Sequence, residues 1–317
     1  MTMGKKIGLK ETADCLKNAD SVIITAHVSP DGDAIGSTLA LCAYMRGIGK
    51  KADVVIDDEL PRSMSFLPGY DDILRPGDYK GSAGMLVIVD TDSSRIGGVA
   101  EISNGLPILN IDHHISNNGL ADYIFIEKSA AAAEMVYEIL TELKAELTPE
   151  IAFPLYTGIA TDTGFFKFSN TRSSTMRAAA ALIDAGALPH VVSEALEAKP
   201  VEMVRGQMEA LQTMELTAGG RVAGLFLDRE LMERLESTEG FIDMVRVIEG
   251  VDVAVLIKCV DENVCRVSMR SKGLDVSKVA GEFDGGGHIR AAGCTLKMPL
   301  AEAKKAVLDA IERALEA

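Results

Sequence analysis

Three short apolar runs in the first half of the chain constrain its fold more than any other feature. They are "SVIITAH" (21–27), "GMLVIVDTD" (84–92) and "LPILNIDHH" (106–114), and each ends in acids or histidines. Continuous apolar runs of this length suit strands that are buried on both faces of a parallel sheet. A segment with helical apolar spacing, "DAIGSTLALCAYMRGIG" (33–49), follows the first run. We therefore predict an α/β domain with a mainly parallel sheet.

The pattern changes in the second half of the chain. Helical segments occupy 130–165 and about 173–186, and Thr148 and Pro149 suit the cap and first residue of one helix. The stretch 187–206 is helical but broken at Pro200, and after it come strand-like runs, a hairpin at "DEN" and a terminal amphipathic helix. We predict two domains joined by a linker, with an active-site cleft between them. The predicted bounds are 1–187 for the α/β domain, 188–206 for the linker and 207–317 for a smaller α+β domain.

Composition excludes some classes of function and compartment. The net charge of −15 over 317 residues argues against a protein that coats duplex DNA by neutralising phosphates. The five cysteines form no C-x-x-C pair, which indicates free, mainly buried thiols in a reducing compartment. The sequence shows neither a signal-peptide pattern nor an apolar run of about 20 residues, the length of a membrane helix. We expect a cytoplasmic protein that does not bind membranes.

Acids and histidines follow several of the predicted strands and helices. These positions lie at the edge of a parallel sheet where ligands usually bind. Ligands of such sheets bind outside the carboxyl ends of the strands. Taken singly, each acid could be a turn residue or a helix cap. Taken together, so many carboxylates at one rim would repel one another unless cations neutralise them. The residues are His27, Asp31, Asp33, Asp90, Asp112, His113, His114 and Asp162.

This set of side chains indicates a class of metal and of reaction. Carboxylates and imidazoles without a thiolate suit Mn²⁺ or Mg²⁺, with Zn²⁺, Co²⁺ and Fe²⁺ also open. Two such ions about 3.5–4 Å apart can activate a water and screen the charge on a phosphoryl group. We predict metal-assisted hydrolysis of a phosphoester or phosphoanhydride.

The same stretches resemble the motifs of the DHH phosphoesterase superfamily. They are "AHVSPDGDAIGS", "VIVDTD", "IDHH" and "TGIATDTGFFKFSNT", which occur in the family's order over about residues 20–175. The resemblance implies two divalent cations, Mn²⁺ first, with Mg²⁺ or Co²⁺ as alternatives. It assigns His27, Asp31 and Asp90 to one ion, and Asp33, Asp90, His113 and Asp162 to the other. It also implies catalytic roles for Asp90, for His114 at the reacting phosphate and for Asp112 as a brace.

The second domain extends the resemblance. The stretch "FDGGGHIRAAGC" is similar to the glycine-rich motif of the DHH-associated C-terminal domain, although Asp284 stands where that motif usually has a further glycine. Glycines let backbone N–H groups approach an anion closely. Alternation along "VCRVSMRSKG" places Arg266 and Arg270 on one strand face. The implied substrate-binding residues are Arg270, Ser271, Gly286, Gly287, His288 and Arg290.

The order and size of the two domains narrow the resemblance to the NrnA-like proteins of this superfamily. It implies degradation of short oligoribonucleotides (nanoRNA) to mononucleotides and hydrolysis of pAp to AMP, and some relatives cleave pApA. The alternatives are an inorganic pyrophosphatase or polyphosphatase, a RecJ-like single-strand exonuclease, and a metal- or nucleotide-binding regulator without catalysis. A homodimer through helices of the first domain is left open.

Overall fold

The computed structural model describes residues 4–114, 116–235 and 237–316. The chain divides into two compact units, Met1–Ala198 and Lys199–Ala317. The first is α/β with a parallel sheet and the second has a mixed sheet, which confirms the predicted fold class. The stretch 188–206, predicted as a linker, contains one helix and the start of another on either side of Pro200. The exact domain bounds stay a prediction.

The described part of the first unit contains a six-stranded sheet whose order is β1-β6-β5-β4-β2-β3. Every neighbouring pair is parallel, so the carboxyl ends of all the strands lie at one edge. The inner strands are buried on both faces, as the unbroken apolar runs predict. The strands are β1 (Lys5–Lys6), β2 (Ser21–Thr25), β3 (Lys51–Val54), β4 (Met85–Val89), β5 (Ile108–Asp112) and β6 (Tyr123–Ile126).

Alternate strand residues of the first unit pack into two separate cores, one on each face of the sheet. Ile24 and Val87 belong to the larger core, which also contains residues of α1, α2, α4 and α5 as bounded below. Ile23 and Ile88 belong to the smaller core on the other face. Helix α5 has Thr148 at its N-cap position and Pro149 at its first residue, but the Thr148 side chain makes no capping hydrogen bond. The helices are α1 (Leu9–Asn18), α2 (Gly32–Gly47), α3 (Val99–Ile102), α4 (Ala132–Glu142), α5 (Pro149–Asp162), α6 (Ser173–Asp184) and α7 (Pro189–Glu197), with 3₁₀ turns at Arg62–Met64 and Tyr70–Asp72.

The described part of the second unit contains a six-stranded mixed sheet of order β11-β12-β10-β9-β8-β7. Its centre is the predicted hairpin of β9 and β10, and β8 pairs with β9 in parallel. The strands are β7 (Glu215–Thr217), β8 (Val222–Leu227), β9 (Val253–Asp261), β10 (Val264–Ser271), β11 (Gly286–His288) and β12 (Ala291–Leu296). The helices are α8 (Val201–Gln212), α9 (Arg229–Arg234), α10 (Phe241–Arg246), α11 (Val276–Gly281) and α12 (Leu300–Glu316), with a 3₁₀ turn at Ala218–Gly220.

Two further predictions concern thiols and membranes. All five cysteines are free thiols; Cys15 is half-buried and the other four are buried. Of the helices in the described ranges, none is by itself long and apolar enough to cross a bilayer. Helices α6 and α7 satisfy that test only as a pair, with a bend of 104° between them.

Candidate metal centre

The predicted ligands of the first unit meet at the carboxyl edge of its parallel sheet. Asp90 follows β4 directly, Asp112 is the last residue of β5, and His27 lies two residues beyond β2. Asp162 ends α5 and Asp33 lies in the first turn of α2. Segments that are far apart in sequence thus bring oxygen and nitrogen atoms to one place.

One group of ligands, which we call the outer triad, comprises His27, Asp31 and Asp90. Its potential ligand atoms all lie within 4.8 Å of one another. Nε2 of His27 lies 3.5 Å from Asp90 Oδ2 and 4.0 Å from Asp31 Oδ1. Because His27 Nδ1 donates a hydrogen bond to the Val28 carbonyl oxygen (2.9 Å), the Nε2 lone pair is free to bind a cation.

Asp31 is a helix cap whose carboxylate also lies among the predicted ligands. Its Oδ1 atom caps α2 by accepting hydrogen bonds from the backbone N–H groups of Asp33 (3.0 Å) and Ala34 (3.1 Å). The side chain remains exposed, and the same oxygen belongs to the outer triad. The capping bonds fix the direction of the carboxylate, so the cap orients the predicted ligand.

A second group, which we call the inner triad, comprises Asp33, His113 and Asp162, again with ligand atoms within 4.8 Å of one another. Nε2 of His113 lies 3.9 Å from Asp33 Oδ2 and 3.9 Å from Asp162 Oδ2. His113 Nδ1 donates to the Ser129 carbonyl oxygen (3.3 Å), which leaves the Nε2 lone pair directed at the acids. Asp33 is buried, and backbone N–H groups at the start of α4 donate hydrogen bonds to both of its carboxylate oxygens.

Asp90 belongs to the outer triad and also lies beside His113 of the inner triad. Its side chain is buried, at 2% exposure. Its φ of +63° is uncommon for a residue other than glycine, and such strain is often found at functional sites. Among the described residues, no group donates a hydrogen bond to its buried Oδ1 atom, although His113 Nε2 lies 3.2 Å away. An unpartnered oxygen that faces an imidazole lone pair requires a proton or a cation between the two atoms. The donor set therefore fits a divalent cation.

The charge balance of the centre supports the same interpretation. Burial, together with the nearby charges of Asp90 and Asp162, raises the pKa of Asp33 well above its usual range. Burial also raises the pKa of Asp162 to about 6. Burial opposes the charged form of His113, but Asp90, Asp33 and Asp162 outweigh it and raise the pKa of His113 to about 9. Without cations the cluster holds protons in their place.

The second histidine of the adjacent pair has a different environment. His114 Nδ1 lies 2.8 Å from Asp112 Oδ1, and its side chain is 46% exposed, against 12% for His113. The hydrogen bond and the charge of Asp112 raise the pKa of His114 despite its partial burial. Asp90, His113 and His114 also form a set within 4.8 Å, so His114 lies at the rim of the centre.

Asn117 is a site residue that the sequence did not assign. Its Nδ2 group donates to Asp112 Oδ2 (2.6 Å) and to Asn110 Oδ1 (2.7 Å). Asn110 is buried and donates in turn to the Thr91 carbonyl oxygen (2.6 Å). This chain of amides holds the carboxylate that orients His114. The only signal in the sequence was the position of the two asparagines on either side of the paired histidines.

In the second unit, strand register places two of the predicted substrate-binding side chains on one face. Ala291 of β12 pairs with Arg270 on one side and with His288 on the other, so the three side chains point the same way. The next row on that face consists of Ser268, Gly293 and Gly286. Small residues thus form a trough between Arg270 and His288, whose strands lie about 9–10 Å apart by the spacing of adjacent strands.

Two glycines of the motif, Gly285 and Gly287, and the predicted binding residue Ser271 differ from the simple expectation of an anion-binding glycine loop. Gly286 faces open space, whereas a Cβ on Gly285 or Gly287 would meet the backbone of β12 at 2.4–2.6 Å, so those two glycines serve packing. The Ser271 side chain is buried on the face opposite to Arg270, and its hydroxyl donates to the Leu274 carbonyl oxygen.

The remaining positions of the motif, Asp284 and Arg290, have exposed side chains. Asp284 has a φ of +55°, a conformation that explains why glycine suits this position and that Asp tolerates better than most residues.

Comparisons with known proteins agree with these two units. The model of the DHH family, N-terminal domain, matches residues 21–159, and that of the DHHA1 domain matches residues 232–317. The chain is 35% identical over 312 residues to the bifunctional oligoribonuclease and PAP phosphatase NrnA of Thermus thermophilus, covering 97% of this chain and 94% of that protein. The protein of the same name from Bacillus subtilis is 28% identical over 87% of this chain and 90% of its own length. An exopolyphosphatase-related protein from Bacteroides fragilis has the same fold, with a TM-score of 0.85, 24% identity and coverage of 96% of this chain and 95% of its own.

Proposed function

Because this chain belongs to the DHH family, we propose that it is a metal-dependent phosphoesterase that degrades short oligoribonucleotides to mononucleotides and hydrolyses pAp to AMP. The observation that carries the proposal is the pair of triads around Asp90, whose buried Oδ1 atom lacks a donor among the described residues. The name of the Thermus thermophilus relative, which is similar over nearly the whole chain, supports the choice of substrates.

We propose that the outer triad, which includes Asp90, holds one divalent cation, and that the inner triad together with Asp90 holds the other. Two divalent cations bound there would supply Lewis-acid activation of water and would screen the negative charge of the phosphoryl group. We favour Mn²⁺, because the donors are carboxylates and imidazoles without thiolate. The chain's own contribution is to hold these donors in a fixed geometry before the substrate arrives.

His114 and Asp112 are proposed to act on the substrate. In hydrolysis, the oxygen of water bonds to phosphorus, the bond to the leaving oxygen breaks, and that oxygen takes up a proton. His114 is exposed and oriented through Nδ1 by Asp112, so its Nε2 atom is available to hydrogen-bond the phosphoryl group or to donate that proton. This geometry supports the proposal that the adjacent histidines have separate roles, one on metal and one on substrate.

The second unit is proposed to bind the nucleotide portion of the substrate. The trough between Arg270 and His288 presents two groups that bind anions, and its floor of alanine and glycine leaves room for a flat or anionic group. Arg290 immediately precedes Ala291 in the sequence, and its side chain is exposed. We further propose that the protein works in the cytoplasm, in keeping with its free thiols.

The experiment that tests the function is a product assay with Mn²⁺. The substrates are labelled RNA of two to five nucleotides, a long RNA, pAp and pyrophosphate, and the controls are Asp90→Ala and Asp53→Asn, the latter an acid of β3 paired with Arg46. We expect rapid cleavage of short RNA and pAp, none with Asp90→Ala, and normal rates with Asp53→Asn. Cleavage of pyrophosphate alone, or full activity of Asp90→Ala, would contradict the proposal.

A second assay tests the trough. Arg270→Ala should raise the KM for pAp and dinucleotides about 10–100-fold, with a smaller effect on kcat, because a charge-assisted contact contributes about 1.5–3 kcal/mol. The matched control is Arg266→Ala, on the same strand face but beside Thr295 and Lys258 rather than Ala291. Equal effects of the two substitutions would argue against a specific role of the trough.

A further inference from the structure

Besides Asp112, the described part of the first unit contains one buried acid that belongs to neither triad. Glu134, in the first turn of α4, is 1% exposed. Its Oε2 atom accepts hydrogen bonds from Ser129 Oγ (3.2 Å), Ala130 N (3.1 Å) and Thr175 Oγ1 (3.0 Å). These bonds close a turn over residues 129–134, which we call the carboxylate turn. Burying a carboxylate is costly, so its contacts should serve a purpose beyond packing.

The carboxylate turn contacts two members of the inner triad through backbone groups. The Ser129 carbonyl oxygen accepts the hydrogen bond from His113 Nδ1. The N–H groups of Ala132 and Ala133 bind the two oxygens of Asp33 at 2.6 Å and 2.8 Å. The orientation of both ligands therefore depends on the path of this turn.

The third member of the inner triad is connected to the same turn. Asn170 Nδ2 donates both to the Ala130 carbonyl oxygen (3.0 Å) and to the Asp162 carbonyl oxygen (3.0 Å), and so joins the turn to the end of α5. The outer triad has other supports, since His27 is held by the Val28 carbonyl and Asp31 by the start of its own helix.

We propose that Glu134 is a positioning residue that sets the affinity of the inner triad for its cation and leaves the affinity of the outer triad unchanged. This inference rests on the proposed function, because it requires that divalent cations bind at the triads. Glu134 keeps the Ser129 carbonyl in place, which keeps the proton of His113 on Nδ1 and its Nε2 lone pair on the metal side. Arg172, 3.8 Å from Glu134 Oε2, supplies the nearest positive charge among the described ion pairs.

The test is a measurement of Mn²⁺ binding to the full chain by calorimetry, together with the electron paramagnetic resonance spectrum of the bound ions. The variant is Glu134→Gln. Its neutral amide oxygen is a weaker acceptor than a carboxylate oxygen, and its NH₂ group would be buried at the position of Oε1, which has no hydrogen-bond partner among the described residues. The matched control is Glu138→Gln, one turn later on α4, whose carboxylate makes no hydrogen bond to the described residues of the turn.

We expect the wild type and Glu138→Gln to bind two Mn²⁺ ions per chain with a spin-coupled spectrum. Glu134→Gln should bind one ion with unchanged affinity and the other about 10–100-fold more weakly, the usual effect of losing a partner that orients a ligand. At one equivalent of Mn²⁺ its spectrum should be that of an isolated ion. Thr175→Val, which removes a single donor to Glu134, should shift the same site in the same direction by a smaller factor.

Two outcomes would overturn the inference: Glu134→Gln binding both ions as the wild type does, or losing affinity equally at both sites. A wild-type protein that binds no Mn²⁺ would instead contradict the proposed function. The two failures are therefore distinguishable in one titration series.

Discussion

The two histidines that follow β5 are neighbours in sequence but not in environment. His113 is largely buried between Asp33, Asp90 and Asp162, and it is held through Nδ1 by the Ser129 carbonyl. His114 is half-exposed and is held by a carboxylate instead. A strand end followed by a turn makes this possible, because consecutive side chains leave the backbone in different directions.

Substitution of each histidine by asparagine should separate binding from chemistry. His113→Asn removes an inner-triad donor and should lower the affinity for one Mn²⁺ ion by at least about tenfold. His114→Asn should leave Mn²⁺ binding within about twofold of wild type and lower kcat about 10²–10⁴-fold, the usual contribution of general acid catalysis. Calorimetry and steady-state kinetics on the two variants check this, and a loss of metal with His114→Asn would place that residue among the ligands.

Residue types and motif order were sufficient to predict which side chains gather at the centre, since the carboxyl ends of parallel strands all lie at one edge of the sheet. They could not predict the supports. Glu134 follows a run of alanines and looks like an ordinary helix residue, and its buried contacts come from Ser129 and from Thr175, 41 positions later. Hydrogen bonds between distant segments leave no periodic pattern in a sequence.

At the scale of elements, the centre depends on how closely two helices approach. Helices α2 and α5 carry Asp33 and Asp162 near their ends and pack against each other through glycines. A Cβ on Gly36 would lie 2.3 Å from the Pro154 carbonyl oxygen, and one on Gly158 would lie 2.9 Å from Asp33 Oδ1. Side chains at these positions would force the helices, and with them the two inner-triad acids, apart.

Gly36→Ala should therefore lower the free energy of unfolding by about 1–3 kcal/mol, as overpacking usually does, and should weaken Mn²⁺ binding. The matched control is Gly47→Ala, at the end of the same helix, where an added Cβ meets nothing within 4 Å. The control should keep its stability or gain up to about 1 kcal/mol, because alanine is the better helix former. Urea denaturation measures both, and equal stability of the two variants would refute the packing argument.

The buried thiols of α2 and β10 should be unreactive in the folded protein. Burial raises the pKa of Cys42 to about 11 and the pKa of Cys265 to about 12, and reaction needs the thiolate. At pH 8 an aromatic disulfide reagent should label the half-buried Cys15 and leave the other four cysteines until denaturant is added.

Since the raised pKa values favour the neutral thiols in the folded state, their contribution to stability is complete below the unfolded pKa of about 8.5 and falls as the pH rises above it. Denaturation midpoints measured between pH 8 and pH 11 should accordingly decrease. Rapid labelling of several thiols in the native protein at pH 8 would contradict the assignment.

At the scale of the whole molecule, the predicted order of an α/β domain followed by a smaller mixed one was accessible from hydrophobic patterning alone. The glycine-rich stretch of the second unit was harder to interpret. Its composition suggested a loop for an anion, whereas Gly286–His288 form a short strand, and Gly285 and Gly287 fit against β12. Close backbone contact and anion binding both require glycine, so composition could not distinguish them.

Metal removal should affect the two units differently, because among the described residues every candidate ligand group lies in the first one. Binding stabilises only the state that binds, by about 2.7 kcal/mol at a hundredfold excess over Kd. Hydrogen exchange with mass spectrometry should show that a chelator speeds exchange around the carboxyl ends of β2, β4 and β5. Peptides of β9, β10 and β12 should be unaffected, and an equal change in both units would show that the ions act elsewhere as well.

The wide spacing of the ligands along the chain also determines when a newly made molecule can take up its ions. His27 leaves the ribosome long before Asp162, and the inner triad cannot exist until α5 has been synthesised and has packed on the sheet. Domains fold as units during synthesis, and contacts between distant residues form late. Uptake of the ion at the inner triad thus reports that the first unit has folded as far as α5, and a nascent chain that ends before α5 lacks this second binding site.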